Sequence, residues 1–447
     1  MLVVRSNRVI LPEGERAAAL YVNDGVIERI VEFDSDDPTG ARVFNVPDLV
    51  VSPGIVDTHV HINEPGRADW EGFDTATRAA VAGGVTTLVD MPLNSIPATT
   101  TVRGFHAKVA AARAQCHVDV GFWGGVVPGN AGELEALVDA GVRGFKCFLV
   151  PSGVEEFPAV TEADLRLALP ILARRGVPLL VHAEDPSLIT HPADPTYSAF
   201  LASRPASSEL EAIRLMVRLA EEFKTRVHIV HVSSAEGVEA IAGAKAAWVP
   251  MTAETCPHYL TFSADEIPDG ATEFKCAPPI REAAHRDALW RGLGDGALDM
   301  VVTDHSPAPP ALKTPGDFAR AWGGIASLEL SLAATYTRLT SQLSTVRGDS
   351  SEVSVLSMLA RWMSAAPALL AGLGERKGRI AVGYDADLVI WDPDAVFVVK
   401  PARLHQRHKI TPYAGRSLFG TVLTTFVRGE RVWDKGRLAR AYGGRML

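Results

Sequence analysis

Eight short apolar runs recur along the middle of the chain, and a stretch of helical period follows most of them. The runs are 50–58 (VVSPGIVDT), 85–91, 117–123, 142–149, 178–184, 226–232, 247–254 and 299–304, with amphipathic segments such as 102–115, 161–175, 208–224 and 235–246 between them. Strands that read as near-continuous apolar runs are buried on both faces, the condition of a parallel sheet covered by helices. Eight such units predict a (β/α)8 TIM barrel whose active site lies where the strands end. A doubly wound sheet is the alternative, but it usually carries a glycine-rich phosphate loop after its first strand. Here His59-Val60-His61 takes that place, and the chain contains no GxGxxG or GxxxxGK[ST].

The two ends of the chain read differently. Short β-branched runs separated by Gly, Asn and Pro fill 1–49 and return over 378–447, so both ends are expected to build one small β-sandwich module flanking a barrel over 50–377. A balance of 44 Lys+Arg against 53 Asp+Glu argues against nucleic acid or an anionic membrane as partner. Cys116, Cys147, Cys256 and Cys276 form no CxxC pair and are expected to be reduced core thiols of a cytoplasmic protein. The start has no basic and apolar regions of a signal peptide, and no apolar run reaches the length of a membrane span.

Polar residues gather at the C-terminal ends of the runs. The first run leads into Asp57-Thr58-His59-Val60-His61, and residues two apart on a strand share a face, so His59 and His61 point together into the barrel mouth. His182 ends the fifth run. His228 and His231 lie in the sixth; three apart on a strand they face opposite sides, so at most one looks inward. His231, nearer the C-terminal end, is assigned inward and His228 to the helical layer. Asp304 ends the eighth run, with His305 on the opposite face. Four histidines and a carboxylate at strand ends suit two divalent metal ions, zinc first and also iron, cobalt or manganese. The bland alternative for each histidine is an exposed or hydrogen-bonded side chain.

Lys146 ends the fourth run inside Gly-Phe-Lys-Cys-Phe. A bare ammonium beside two cations would be repelled and costly to bury, and desolvation lowers a lysine's pKa. A neutral amine there can capture CO2 and become a carbamate, an anion with two oxygens able to bridge two metals. A lysine that snorkels to the barrel rim is the other reading.

Taken together, HxH after strand one, the strand-four lysine, histidines after strands five and six and the strand-eight aspartate resemble the cyclic amidohydrolases. That group includes dihydroorotases, dihydropyrimidinases (hydantoinases) and allantoinases. The resemblance covers the whole chain. Within the group, residues 57–100 (DTHVHINEPGRADWEGFDTATRAAVAGGVTTLVDMPLNSIPATT) look like allantoinases nearly throughout, as do GFKCFL, YSAFLASRP, HIVHVSSAEGV, ETCPHYLTF, KCAPPIRE and TDHSPAPPALKTPGDFARAWGGIASLE. Dihydroorotases place a carboxylate-binding arginine two residues after HxH, where this chain has Asn63. Hydantoinases place a tyrosine five residues after the lysine, where it has Pro151.

The resemblance implies hydrolysis of the hydantoin ring amide of allantoin to allantoate. It implies one ion on His59, His61, the Lys146 carbamate and Asp304, a second on His182, His231 and the carbamate, Asp304 as general base, and a homotetramer. A hydantoinase of other specificity, or an inactive scaffold relative, is the alternative. Asn63, Asn94, Ser306 and Gly324 are candidates for substrate binding. Asn94 could instead cap the following helix, Ser306 could serve only as a turn residue, and Gly323-Gly324 could be only a tight turn. Arg67 is read as orienting a loop over the site or as a surface ion pair, and His258 as a structural histidine near the ligands.

Overall fold

The computed structural model of the chain describes residues 1–346 and 354–447. The predicted barrel is present. Its strands are Ile55–Val60, Val85–Asp90, Asp119–Phe122 continued by Gly124–Gly125, Phe145–Phe148, Leu179–His182, Val227–Ile229, Met251–Thr255 and Met300–Val301. Every neighbouring pair is parallel and follows chain order. A bridge between Val60 and His305 closes the eighth unit onto the first.

Helices Phe73–Ala82, Val102–Ala112, Leu134–Ala140, Glu162–Arg175, Ala206–Phe223, Ala235–Ala246, Ala283–Asp295 and Ser331–Val346 form the outer layer. Their starts are fixed locally. Thr101 and Ser234 cap the second and sixth of these helices, and Thr161 with Asp164 forms a capping box on the fourth. The barrel interior is filled below the mouth by Val56, Val89, Leu180, Met300 and Val302, and Ala368, Leu370 and Leu373 belong to the same apolar cluster.

The run expected as one strand over 50–58 is two. Val50–Pro53 pairs with the strands Leu2–Leu11 and Leu388–Val398, whereas Ile55–Val60 enters the barrel. Gly54 sits at the change of sheet, where any Cβ would collide with Thr86. Strands from both chain ends share one nine-stranded sheet, and Leu2, Val4, Val51, Leu388, Ile390 and Phe426 pack into one core. A buried ion network couples this sheet to the barrel: Lys377 Nζ lies 2.8 Å from Asp119, 2.6 Å from Asp387 and 3.2 Å from Asp385, and Arg428 also pairs with Asp119. The three carboxylates are close enough together to hold a cation, and the Lys377 ammonium already occupies that role. No helix among the described residues is long and apolar enough to cross a membrane.

Candidate metal centre and active site

A cavity of about 610 Å³ opens at the C-terminal ends of the strands, and His59, His61, His182, His231 and Asp304 all line it. His59 Nε2 is 3.1 Å and His61 Nε2 3.4 Å from Asp304 Oδ1. The His231 ring is centred 5.4 Å from His59 and 4.6 Å from His182. Lys146 is fully buried beside them, its Nζ without a hydrogen-bond partner and 5.1 Å from the Phe148 ring centre.

Strand alternation does not produce this arrangement at two of its corners. The sixth strand ends at Ile229, and His231 has φ +41. The eighth ends at Val301, and Asp304 has φ +45. Asn63 and Asn94 are also in the left-handed region, at φ +67 and +61. Non-glycine residues held there store strain that the surrounding structure must maintain, and such residues cluster at functional sites.

His228 corrects the assignment made from alternation. It does not turn to the helical layer: Nε2–H donates to Glu254 Oε2 at 2.9 Å, and Glu254 Oε1 accepts from His59 Nδ1. Because His231 has left the strand geometry, parity between the two histidines carries no information. Glu254, next to last in the seventh strand and last in its apolar run, is missed by the sequence reading, although the strand-end logic applied to the other runs reaches it equally. A second carboxylate of this kind is Glu184, whose Oε2 accepts from His182 Nε2 at 2.7 Å and which Arg204 grips with Nε and Nη2. With a metal bound, these bonds would fix the tautomers: a proton on His59 Nδ1 and on His182 Nε2 leaves the other nitrogen of each ring to ligate.

Electrostatics separates the histidines. Burial lowers His59, but Asp304 and Glu254 outweigh it and raise the imidazole to about 9. Burial holds His61 down to about 4 and His231 well below its usual value, with His182 repelling a charge on His231. Burial lowers Lys146 to about 8. Asp304 is held far below the ordinary carboxylate range, because His59 and His61 outweigh the cost of its burial.

This donor set fits a metal. His59, His231 and Asp304 each bring a ligand atom to within 4.8 Å of the others. The carboxylates that attract a proton to His59 would attract a cation in its place. Buried His61 Nδ1, His231 Nδ1 and Lys146 Nζ have no protein partner.

The other candidates divide. Asn94 caps no helix, since Thr101 does that; its buried Oδ1 is unpaired, and the residue lines the cavity with Ser306 and Gly324. Asn63 does not line it. Its Nδ2 donates to the Pro307 carbonyl at 3.4 Å, so it braces the loop behind Asp304. Arg67 pairs with Glu156 and lies over Trp70, tying two rim loops together. His258 is buried against Tyr259, with neither ring nitrogen hydrogen-bonded. All four cysteines are free and buried.

Residues 50–432 match the amidohydrolase family. The chain belongs to that family. This amidohydrolase is 52% identical to the allantoinase of Streptomyces avermitilis over 99% of its own length and 97% of the relative's. It is 42% identical to the allantoinase of Arabidopsis thaliana, covering 98% of this chain and 88% of that one. Among solved structures, the L-hydantoinase (dihydropyrimidinase) from Arthrobacter aurescens superposes with a TM-score of 0.92 at 32% identity, covering 100% of this amidohydrolase and 99% of that chain.

Proposed function

We propose that this amidohydrolase hydrolyses the ring amide of allantoin to allantoate, with Asp304 as general base. The observation that carries the reading is the convergence of four histidines and Asp304 on one cavity, with Lys146 fully buried, in a chain similar to allantoinases over nearly its whole length.

His59, His61 and Asp304 would hold one divalent ion and His182 and His231 a second, zinc by donor chemistry, with Lys146 as a carbamate between them. Such ions lower the pKa of a water toward neutrality and polarise a carbonyl. Lys146 supports the carbamate because its amine is unpaired, desolvated and shifted toward neutrality. Its nitrogen bonds the carbon of CO2 and releases one proton. In the reaction, the water oxygen bonds the ring carbonyl carbon. Asp304 takes the water's proton and returns it to the ring nitrogen as the C–N bond breaks, leaving a carboxylate and a free ureido nitrogen. Asn94, whose Oδ1 is unpaired, and Ser306 orient the substrate's amide edge, and Gly324, both of whose backbone polar groups are bonded within the protein, offers it only a close surface.

Turnover of allantoin, hydantoin and dihydroorotate by the purified protein tests the assignment. Position 63 carries no cation, Arg204 is committed to Glu184 and Lys275 to main-chain carbonyls. Arg320, the remaining Lys or Arg of the lining, is exposed at the rim; deeper in the cavity a substrate carboxylate would lose solvation without a matched partner, so dihydroorotate should react at least about a hundredfold more slowly than allantoin. Equal rates would sink the proposal.

Metal content distinguishes the two histidines of the sixth run, 226–232. His231→Ala should lose a ligand and with it bound metal. His228→Ala should keep full occupancy at saturating metal but bind about 10–100-fold more weakly, because Glu254 would hold His59 less firmly. Titration against a chelator reads both. If His228→Ala matched wild type in affinity, the link through Glu254 would have no effect on the metal.

A further inference from the structure

Two lysines hold one wall of the cavity, Lys275 at the cavity face and Lys313 behind it, and the hydrolytic reading leaves both without a role. Lys275 Nζ donates to the carbonyls of Ala321 at 2.6 Å and Ala319 at 3.3 Å. Lys313 Nζ donates to the carbonyls of Gly324 and, at 3.2 Å, of Trp322. Both side chains are buried, and the hydrogen bonds of both ammonium groups go to main-chain oxygens; among the described residues neither forms an ion pair. The segment they hold, 319–324, lines the cavity along its whole length.

A buried ammonium without a carboxylate is costly, so two of them behind six residues call for a physical reason. Burial lowers both lysines to about 8, so each is still mostly charged near neutrality. One ammonium carries three donors and can gather carbonyls that no strand or helix would satisfy. The backbone here is tightly placed. Gly324 has φ +142, its N–H donates to the Lys275 carbonyl at 2.8 Å, and any Cβ on it would collide with Ser306. The Trp322 ring lies edge-on to Trp70 at 4.9 Å and close over Gly153.

We propose that Lys275 and Lys313 are positioning residues that clamp residues 319–324 into the substrate-facing wall by drawing four of its carbonyls away from the cavity. Carbonyls bound to ammonium do not accept from a ligand, and the N–H groups of Arg320, Ala321, Trp322 and Gly324 already donate within the protein, so this wall meets its ligand chiefly through carbon atoms and the Trp322 edge. The clamp acts on binding and leaves the reacting atoms alone. The identity of the ligand rests on the hydrolytic reading above.

Lys275→Met and Lys313→Met keep an unbranched side chain and remove the donors. Each should raise KM for allantoin about tenfold or more while kcat stays within about threefold, the pattern of lost uniform binding. Metal content should not change. Arg320 is exposed in this segment, so trypsin should cut after it about tenfold faster in the variants, because cleavage tracks the population of the opened segment. Unchanged KM and unchanged cleavage in folded variants would overturn the clamp. A fall in kcat accompanied by metal loss would also overturn it, since the lysines would then act on the reacting centre. Should Lys313→Met fail to fold, Lys275→Met, at the cavity face, decides by the same measurements. If wild type does not turn over allantoin, the hydrolytic reading fails, and cleavage after Arg320 still decides the clamp.

Discussion

Asp304→Asn is expected to lower kcat by about 10²–10⁴-fold, the range of general-base contributions, with a smaller change in KM. The proposed base, Asp304, lines the cavity, and its Oδ1 lies within 3.4 Å of both His59 and His61. Asparagine keeps the size and one ligand oxygen but cannot accept a proton. Steady-state kinetics with metal content measured on the same sample checks this. A variant that keeps its metal and more than about a tenth of wild-type kcat would make Asp304 a ligand only. The wild-type rate should also fall at low pH. The Asp304 carboxyl is held well below the usual range, so that loss should set in below the ordinary carboxylate pKa if Asp304 alone controls it.

Lys146→Ala should remove metal and activity together, because the proposed carbamate is the ligand that both ions would share. The alternative of a rim lysine does not fit a side chain that is fully enclosed and unpaired. A short carboxylic acid added to Lys146→Ala should restore part of the activity by standing in for the carbamate. Native mass measurement of the metal-loaded wild type should show one added CO2, lost on acidification. A fully metallated protein with no added mass would end the carbamate proposal.

The barrel was legible because parallel strands buried on both faces write themselves as apolar runs, and strand ends collect polar residues. His59, His61, Lys146 and His182 follow from that rule; Asp304 ends its apolar run, but the strand stops at Val301 and a left-handed backbone brings the carboxylate into the site. His231 was also placed at the site, but by a parity argument the structure does not support, since the strand stops at Ile229. The same argument sent His228 the wrong way. Glu254 and Glu184 both stand at the ends of their runs, 247–254 and 178–184, and the strand-end rule reaches both. What it does not reach is the partner of Glu184, Arg204, which lies twenty residues on with nothing local to announce the pair. Lys275 and Lys313 are harder still. Their partners are carbonyls, and a carbonyl has no letter in a sequence. The boundary of the terminal sheet was lost for a similar reason, because Val50–Pro53 and Ile55–Val60 are equally apolar and only pairing tells them apart.

That pairing bears on how the protein is made. Val50–Pro53 lies between a strand from the start of the chain and Leu388–Val398 from near its end. At about 5–20 residues per second, roughly twenty to seventy seconds of synthesis separate the two partners, and for that time one edge of Val50–Pro53 has nothing to pair with. An apolar strand edge left open is a template for another nascent chain. Ribosomes that stall or terminate inside the barrel would therefore release products prone to pair with one another, and high-level expression should depend on chaperones that cover the N-terminal strands until the last seventy residues arrive.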